Sequence, residues 1–189
     1  MTKATVTLAE TATIGIAGYT TYVAKHDISF PAEVTAYIST TKTDETLKLT
    51  EKASVPEGTA VILKGDAGTY ALPTITTTPD DVTGNLLLAS DGSVEGDGFT
   101  IFALAQKNNV VGFYLVNDGI TVPAGKAYLY LANPGVKGFT FEFEDDADGI
   151  NSLTPALSEG EGVVYNLAGQ RLSKAQKGIN IINGKKILK

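Results

Sequence analysis

Residues 55–60, VPEGTA, and residues 122–127, VPAGKA, share the pattern V-P-x-G-x-A at a spacing of 67 positions. In each copy the proline fixes φ just before a tight turn, and the glycine two positions later can take positive φ inside that turn. Each copy continues into an apolar run, AVILKG in the first and AYLYLA in the second. The repeated phrase therefore predicts that one turn and its following strand occur twice in the chain.

Further strand-like runs surround both copies of this phrase. Two runs precede each copy: VTAYIST and TLKLTEK before the first, FTIFALA and VVGFYLV before the second. We therefore predict two related four-strand units, at approximately residues 34–73 and 99–143. The alternative is a chance match of a common turn phrase. Two such units would produce stacked or barrel-closed antiparallel sheets.

The remaining sequence also favours strands over helices. Short segments of alternating or β-branched residues follow one another every 8–12 residues or so, which is typical of all-β proteins. The 20 glycines supply turns, and no helical period extends over a dozen residues. The predicted fold class is all-β, with an antiparallel sandwich-like or barrel-like body and a short C-terminal β-meander.

Composition excludes several classes of function. The net charge of −6 argues against nucleic acid as a partner, because such binding depends on Lys and Arg neutralising phosphates. The chain has no cysteine, so disulfides and thiolate metal sites are absent. No run approaches 18 apolar residues, and we predict no membrane span. Residues 1–10 lack the apolar core of a signal peptide, which we expect to be removed or to lie outside this sequence.

The charge pattern changes sharply towards the C-terminus. Residues 142–161 hold seven acids and no base, whereas residues 171–189 hold six bases and no acid. We therefore predict a body over residues 1–146, an acidic linker over 147–162 and a C-terminal β segment over 163–189. Within that segment, VVYNL and QRLS read as one strand pair. GINII and KKILK read as a hairpin around Asn183-Gly184, a dipeptide that suits a type I′ turn.

This C-terminal segment resembles the sorting domain of the type IX secretion system, found at the end of many secreted and surface proteins of the Bacteroidetes. The positions that match its pattern are Tyr165, Asn166, Gly169, Gln170, Arg171, Leu172, Lys177, Gly178, Ile179, Ile181, Asn183, Gly184, Lys185, Lys186 and Ile187. The body is similar to β-rich modules that precede this tail. The resemblance implies the secretion machinery as a partner, an extracellular or outer-surface location, and an accessory role.

The acidic run FEFEDDADGIN contains a candidate calcium loop. Glu144, Asp146, Asp148 and Gly149 fall at positions 1, 3, 5 and 6 of such a loop, where alternating oxygens converge on the cation and glycine makes the turn. Position 12, which should be glutamate, is Pro155. A solvated acidic linker is the favoured interpretation, so we predict no cofactor and keep calcium as the alternative.

Signals for catalysis are weak. His26, the only histidine, adjoins Asp27, but no G-x-S-x-G phrase supplies a nucleophile. GITVPAGKA departs from a phosphate-binding loop in its glycine spacing and in Ala127. A glycosidase would need two acids about 5–9 Å apart in a cleft, which one sequence cannot identify. We predict a protein that is not an enzyme.

Tyrosines offer the strongest indication of a binding surface. In KAYLYLA, strand alternation places Ala127 and Leu129 on one face and Tyr128 and Tyr130 on the other, and Tyr114 of the preceding run would join the tyrosines. Flat aromatic surfaces suit sugar rings, although cross-strand tyrosine packing, or burial beneath the C-terminal meander, is the favoured interpretation.

The leading functional hypothesis is a non-enzymatic exported surface or secreted accessory module with an adhesion or binding role towards a glycan or a cell-surface ligand. The alternatives are a carbohydrate-binding module of a glycan-degrading system and a glycoside hydrolase domain.

Overall fold

The computed structural model describes residues 8–144 and, beyond them, four short strands within residues 164–188. The chain divides into two compact units, Met1–Asp148 and Gly149–Lys189. The described residues form strands, turns and loops without an α-helix, which confirms the all-β prediction. Among them there is accordingly no helix long and apolar enough to cross a membrane.

The first unit is built around one sheet of nine strands in the order β2-β7-β4-β5-β13-β11-β10-β12-β9. Neighbouring strands are antiparallel except β5 and β13, which are parallel. The strands of this sheet are β2 (Tyr19–Val23), β4 (Val34–Lys42), β5 (Thr46–Lys52), β7 (Ala60–Gly65), β9 (Leu88–Ala89), β10 (Ile101–Lys107), β11 (Val110–Leu115), β12 (Ala127–Tyr130) and β13 (Gly138–Phe143).

Two small strand pairs accompany the nine-stranded sheet. One joins β1 (Ala9–Ile14) to β8 (Gly68–Pro73), and the other joins β3 (Ile28–Ser29) to β6 (Ser54–Val55). The β1–β8 pair buries apolar side chains against the outer face of β4 and β7. This outer core comprises Ala12, Ile14, Leu72, Val34, Ala36, Ile38, Val61 and Leu63, together with Ala24, Ile28 and Val55.

The two halves of the sheet repeat the same strand pairing. Val23 pairs with Ala60 in the first half, and Ala89 pairs with Ala127 in the second. Likewise β4 lies between β5 and β7, as β10 lies between β11 and β12. The correspondence begins earlier than residues 34 and 99, because β2 and β9 take equivalent places.

The predicted turns have the predicted backbone conformation. Gly58 and Gly125 have φ of +79° and +76°. The amide of Gly58 donates to the Ala24 carbonyl (2.8 Å), and that of Gly125 donates to the Ser90 carbonyl (2.9 Å). A glycine with left-handed backbone conformation thus precedes both β7 and β12.

The last strands of the two halves differ in position. β8 leaves the nine-stranded sheet and pairs with β1 over the outer face of the first half. β13 instead stays in the main sheet, between β11 and β5, and joins the two halves edge to edge. The second half therefore has no β strand equivalent to β8 over its outer face within residues 8–144.

A second core lies between the inner faces of the two halves. Phe102, Phe113 and Phe139 are fully buried there, and the rings of Phe102 and Phe139 meet edge to face at 5.2 Å between centroids. Phe141 and Phe143 pack against the same cluster while Glu142 is exposed, as the alternation in FTFEF predicts. Both halves contribute to this core, so they fold as one body.

The sheet nearly closes on itself where β2 approaches β12. No backbone ladder joins them; instead the amide of Ala127 donates to Thr21 Oγ1 at 3.1 Å. Lys126 Nζ donates to Thr20 Oγ1 at 3.0 Å and to the Thr21 carbonyl at 3.2 Å. Hydrogen bonds from Lys126 and Ala127 to the two threonines thus connect β2 to the second half of the body.

The C-terminal unit contains a four-stranded antiparallel sheet in the order β15-β14-β16-β17. Its strands are β14 (Val164–Tyr165), β15 (Arg171–Leu172), β16 (Ile179–Ile182) and β17 (Lys185–Leu188). The register of β16 and β17 pairs Ile182 with Lys185, and the two residues between them lie outside the described residues. In addition, β14 pairs with β16 and links the two predicted strand pairs.

Candidate ligand-binding site

The outer face of the second half is exposed where its counterpart in the first half is covered. Leu63 of β7 is 0% exposed beneath the β1–β8 pair, whereas Tyr130, the equivalent residue of β12, is 53% exposed. Val61 and Tyr128 differ in the same sense, since Val61 is fully buried and Tyr128 is half-buried. Both halves therefore have an equivalent outer face, but only that of the first half is covered by a strand pair.

Cross-strand pairing places aromatic and aliphatic side chains in a row on this exposed face. Ala103 of β10 pairs with Tyr114 on one side and with Tyr128 on the other, and Tyr128 pairs in turn with Leu88 at the sheet edge. Tyr130 lies beside Tyr128, opposite Ile101. We call Leu88, Ala103, Tyr114, Tyr128 and Tyr130 the tyrosine face.

The tyrosine face adjoins a cleft of about 470 Å³. Its walls are the start of β2, the strands β10 and β11 at residues 103–105 and 114–115, the loop at residues 116–117 and 120–123, and Lys126 and Ala127. Ala103, Val116 and Val122 line the cleft and also belong to the small apolar cluster against which Tyr128 packs. The cleft and the tyrosine face are therefore continuous.

Among residues 8–144, Lys126 is the one charged side chain that lines this cleft, and no Asp or Glu lines it. Its ammonium is half-buried and, among residues 8–144, is hydrogen-bonded only to the neutral oxygens of Thr20 and Thr21. No ion pair of Lys126 is found in the part of the chain that the structure describes. Burial lowers the pKa of this ammonium below its usual range.

The three predicted tyrosines differ in how much ring surface they offer. Tyr114 lies against Gly138, and the ammonium of Lys107 sits 4.8 Å from its ring centroid, so both neighbours restrict it. Tyr128 is packed on its apolar cluster along one side. Tyr130 is the most exposed of the three and has the greatest area available for a ligand.

His26 belongs to a hydrogen-bonded cluster around Glu10 in place of a catalytic pair with Asp27. Its Nδ1 lies 2.8 Å from Glu10 Oε1, and Tyr22 donates its hydroxyl to Glu10 Oε2 at 2.6 Å. Burial alone would raise the pKa of Glu10, but hydrogen bonds from Tyr22, His26 and the Lys25 amide lower it overall. Asp27 separately accepts the amide of Glu57 at 2.9 Å. The cluster ties β1 to the segment after β2.

The calcium candidates are only partly within the described residues. Glu144 lies 3.6 Å from Lys48 Nζ, and both side chains are 41% exposed, so this surface pair contributes about 0–1 kcal/mol. Asp146 and Asp148 lie outside the described residues. Over residues 8–144 no group of three or more histidine or acidic side chains could hold a metal ion.

The residues that resemble a sorting domain are also only partly within the described residues. Tyr165, Arg171, Lys185 and Lys186 lie in strands of the C-terminal sheet. Gly169, Gly178, Asn183 and Gly184 of the same pattern lie outside the described residues.

Comparison with models of known protein families finds no match for this chain, and comparisons with curated proteins and with solved structures find none either. The functional assignment therefore depends on the geometry of the site and on the sequence pattern.

Proposed function

We propose that the protein is a non-enzymatic, exported accessory module that binds a ligand on the outer face of its second half. The observation that carries this proposal is the uncovered tyrosine face with its adjoining cleft. Leu88 and Tyr130 are 41% and 53% exposed, whereas Leu63, the equivalent of Tyr130 in the first half, is buried. Exposed apolar surface of this kind, rimmed by polar groups, is typical of a binding site.

Export is supported by the pattern of residues 163–189. The residues that resemble a type IX sorting domain lie at the C-terminus, and the runs that carry them are strands of one antiparallel sheet. The six bases at residues 171–189 distinguish this segment from the acidic body.

Deletion of the tail tests export. In a bacterium with a type IX system, and with a signal peptide supplied, the full chain is expected at the cell surface or in the medium. A chain truncated after Glu161 is expected to remain in the periplasm. Quantitative immunoblotting of cell fractions measures the difference, and circular dichroism of the purified truncated chain checks that its body is folded. Equal export of both chains would show that the tail is not a targeting element.

A carbohydrate is the second, more specific candidate for the ligand. Tyr128 and Tyr130 project from the same strand onto the exposed face, and aromatic rings at such positions stack on the apolar faces of sugars. The ligand would then be a glycan in the surroundings of an exported protein.

Replacement of the tyrosines tests this candidate. Tyr130→Ala, alone and with Tyr128→Ala, is expected to reduce retention on a glycan array about fivefold for each ring removed, as the loss of an aromatic stacking contact of about 1 kcal/mol predicts. Tyr70→Ala is a matched control, because Tyr70 lies on β8 in the first half. Unchanged retention by the double variant would exclude carbohydrate binding at this face.

The charges of the described residues favour binding over hydrolysis. A glycosidase acid needs a raised pKa in a cleft. Hydrogen bonds from Thr83, Ser93 and Thr100 lower the pKa values of Asp81, Asp91 and Asp97. No carboxylate of residues 8–144 lines the cleft.

A further inference from the structure

We propose that the cleft beside the tyrosine face binds a carboxylate-bearing sugar, such as a uronic or sialic acid, with the ligand carboxylate paired to the ammonium of Lys126. This inference rests on the proposed binding function of the same face and specifies its ligand.

The first argument is charge. The body is acidic, and the chain as a whole carries a net charge of −6, yet the described walls of the cleft carry one cation and no anion. Acidic residues outnumber basic residues in the chain, 21 to 15, so a randomly placed charge on a cleft wall would more often be negative. Positive potential confined to a cleft of an acidic protein attracts an anionic ligand to that cleft and away from the remaining surface.

The second argument is the hydrogen bonding of Lys126. An ammonium has three donors, and two of them are taken by Thr20 Oγ1 and the Thr21 carbonyl. Both acceptors are neutral, so the half-buried charge has lost part of its hydration without gaining a counter-charge within residues 8–144. A ligand carboxylate would accept the third donor and supply that counter-charge, in a charge-assisted hydrogen bond.

The third argument is the character of the other walls. Ala103, Val116 and Ile120 offer apolar surface, while Asn117 and Thr121 offer neutral donors and acceptors. A sugar ring presents the same mixture of C–H faces and hydroxyls. The volume of about 470 Å³ lies within the range of small-molecule sites. One lysine without an arginine matches a single negative charge better than a doubly charged phosphate.

The test compares acidic oligosaccharides with their carboxyl-reduced forms. Oligosaccharides that contain glucuronic, galacturonic or sialic acid are titrated into the full chain by calorimetry, each beside its carboxyl-reduced form. We expect at least one acidic member to bind about tenfold or more tightly than its reduced partner, as a charge-assisted hydrogen bond predicts. Lys126→Met is expected to remove that preference.

Two controls make the result specific. Lys25→Met removes an exposed lysine of the first half and should leave the preference unchanged. Lys126→Arg keeps the charge and should retain a preference for the acidic form. The preference of the unaltered chain is measured first, so the test stands even where Lys126→Met does not fold.

Each alternative outcome decides a different proposal. Equal affinity for the acidic and reduced forms would overturn the role of Lys126 and leave carbohydrate binding intact. A preference that persists in a folded Lys126→Met chain would also overturn it. Binding of none of these sugars would overturn the inference, and the array with Tyr130→Ala would then decide separately whether the face binds any glycan.

Discussion

Phe102→Ala is expected to lower the free energy of unfolding by about 3–5 kcal/mol. Phe102 is fully buried in the core between the two halves, and its ring meets that of Phe139 edge to face at 5.2 Å. Removal of the ring leaves a cavity that Phe113, also fully buried, cannot fill without moving its own strand. Urea unfolding of the full chain, followed by tyrosine fluorescence and circular dichroism, measures the change.

Phe99→Ala is the matched control for this prediction. Phe99 lies three residues earlier and is 56% exposed, so its replacement is expected to change stability by no more than about 1 kcal/mol. Comparable losses from both variants would mean that the two halves do not share a core at Phe102. A loss from Phe102→Ala alone would support a body that folds as one unit.

The strands and turns of this body could be predicted because their signals are local. V-P-x-G-x-A specifies a proline and a left-handed glycine at fixed positions, and both copies take the expected φ at Gly58 and Gly125. Alternation in KAYLYLA likewise predicts that Leu129 is buried and Tyr130 exposed, as the structure has them. Period-two patterning depends only on neighbours in the chain, so it can be read without the fold.

The partners of the strands could not be predicted in the same way. GFTFEF reads as a strand with one apolar face whether it covers a sheet, as β8 does, or enters it between β5 and β11, as β13 does. The parallel β5–β13 pairing joins residues almost a hundred positions apart, and no turn signal records it. The two-residue strand β9 lies within the strand-like run NLLLAS, but that run does not indicate that its partner is β12.

The cleft depends on such long-range pairing, so no local sequence pattern indicates it. Lys126 reads in the sequence as the variable position of a turn phrase, where Thr59 stands in the first copy. Its role follows only from Thr20 and Thr21, more than a hundred residues earlier, which the near closure of the sheet brings to it. Strand alternation indicates Tyr128 and Tyr130, which lie on one strand, whereas no local pattern indicates the charge beside them.

Leu63→Ala and Tyr130→Ala are expected to have unequal effects although the two residues occupy equivalent positions. Leu63 is fully buried beneath β1 and β8, in a cluster with Ile14 and Leu72, so its truncation should lower the free energy of unfolding by about 2–5 kcal/mol. Tyr130 is 53% exposed, and its truncation should cost no more than about 1 kcal/mol. Urea unfolding of both variants beside the unaltered chain measures the difference.

The comparison bears directly on binding, because it asks whether the second outer face is open in solution. If Tyr130→Ala costs as much as Leu63→Ala, that face is buried in the free protein, and the proposed ligand site loses its basis. If the costs differ as expected, Tyr130→Ala leaves the fold intact, and any loss of glycan retention in that variant reports on the ligand contact. The same repeat thus supplies both a stability element, where β8 covers the sheet, and an accessible surface, where β13 has been used to join the halves.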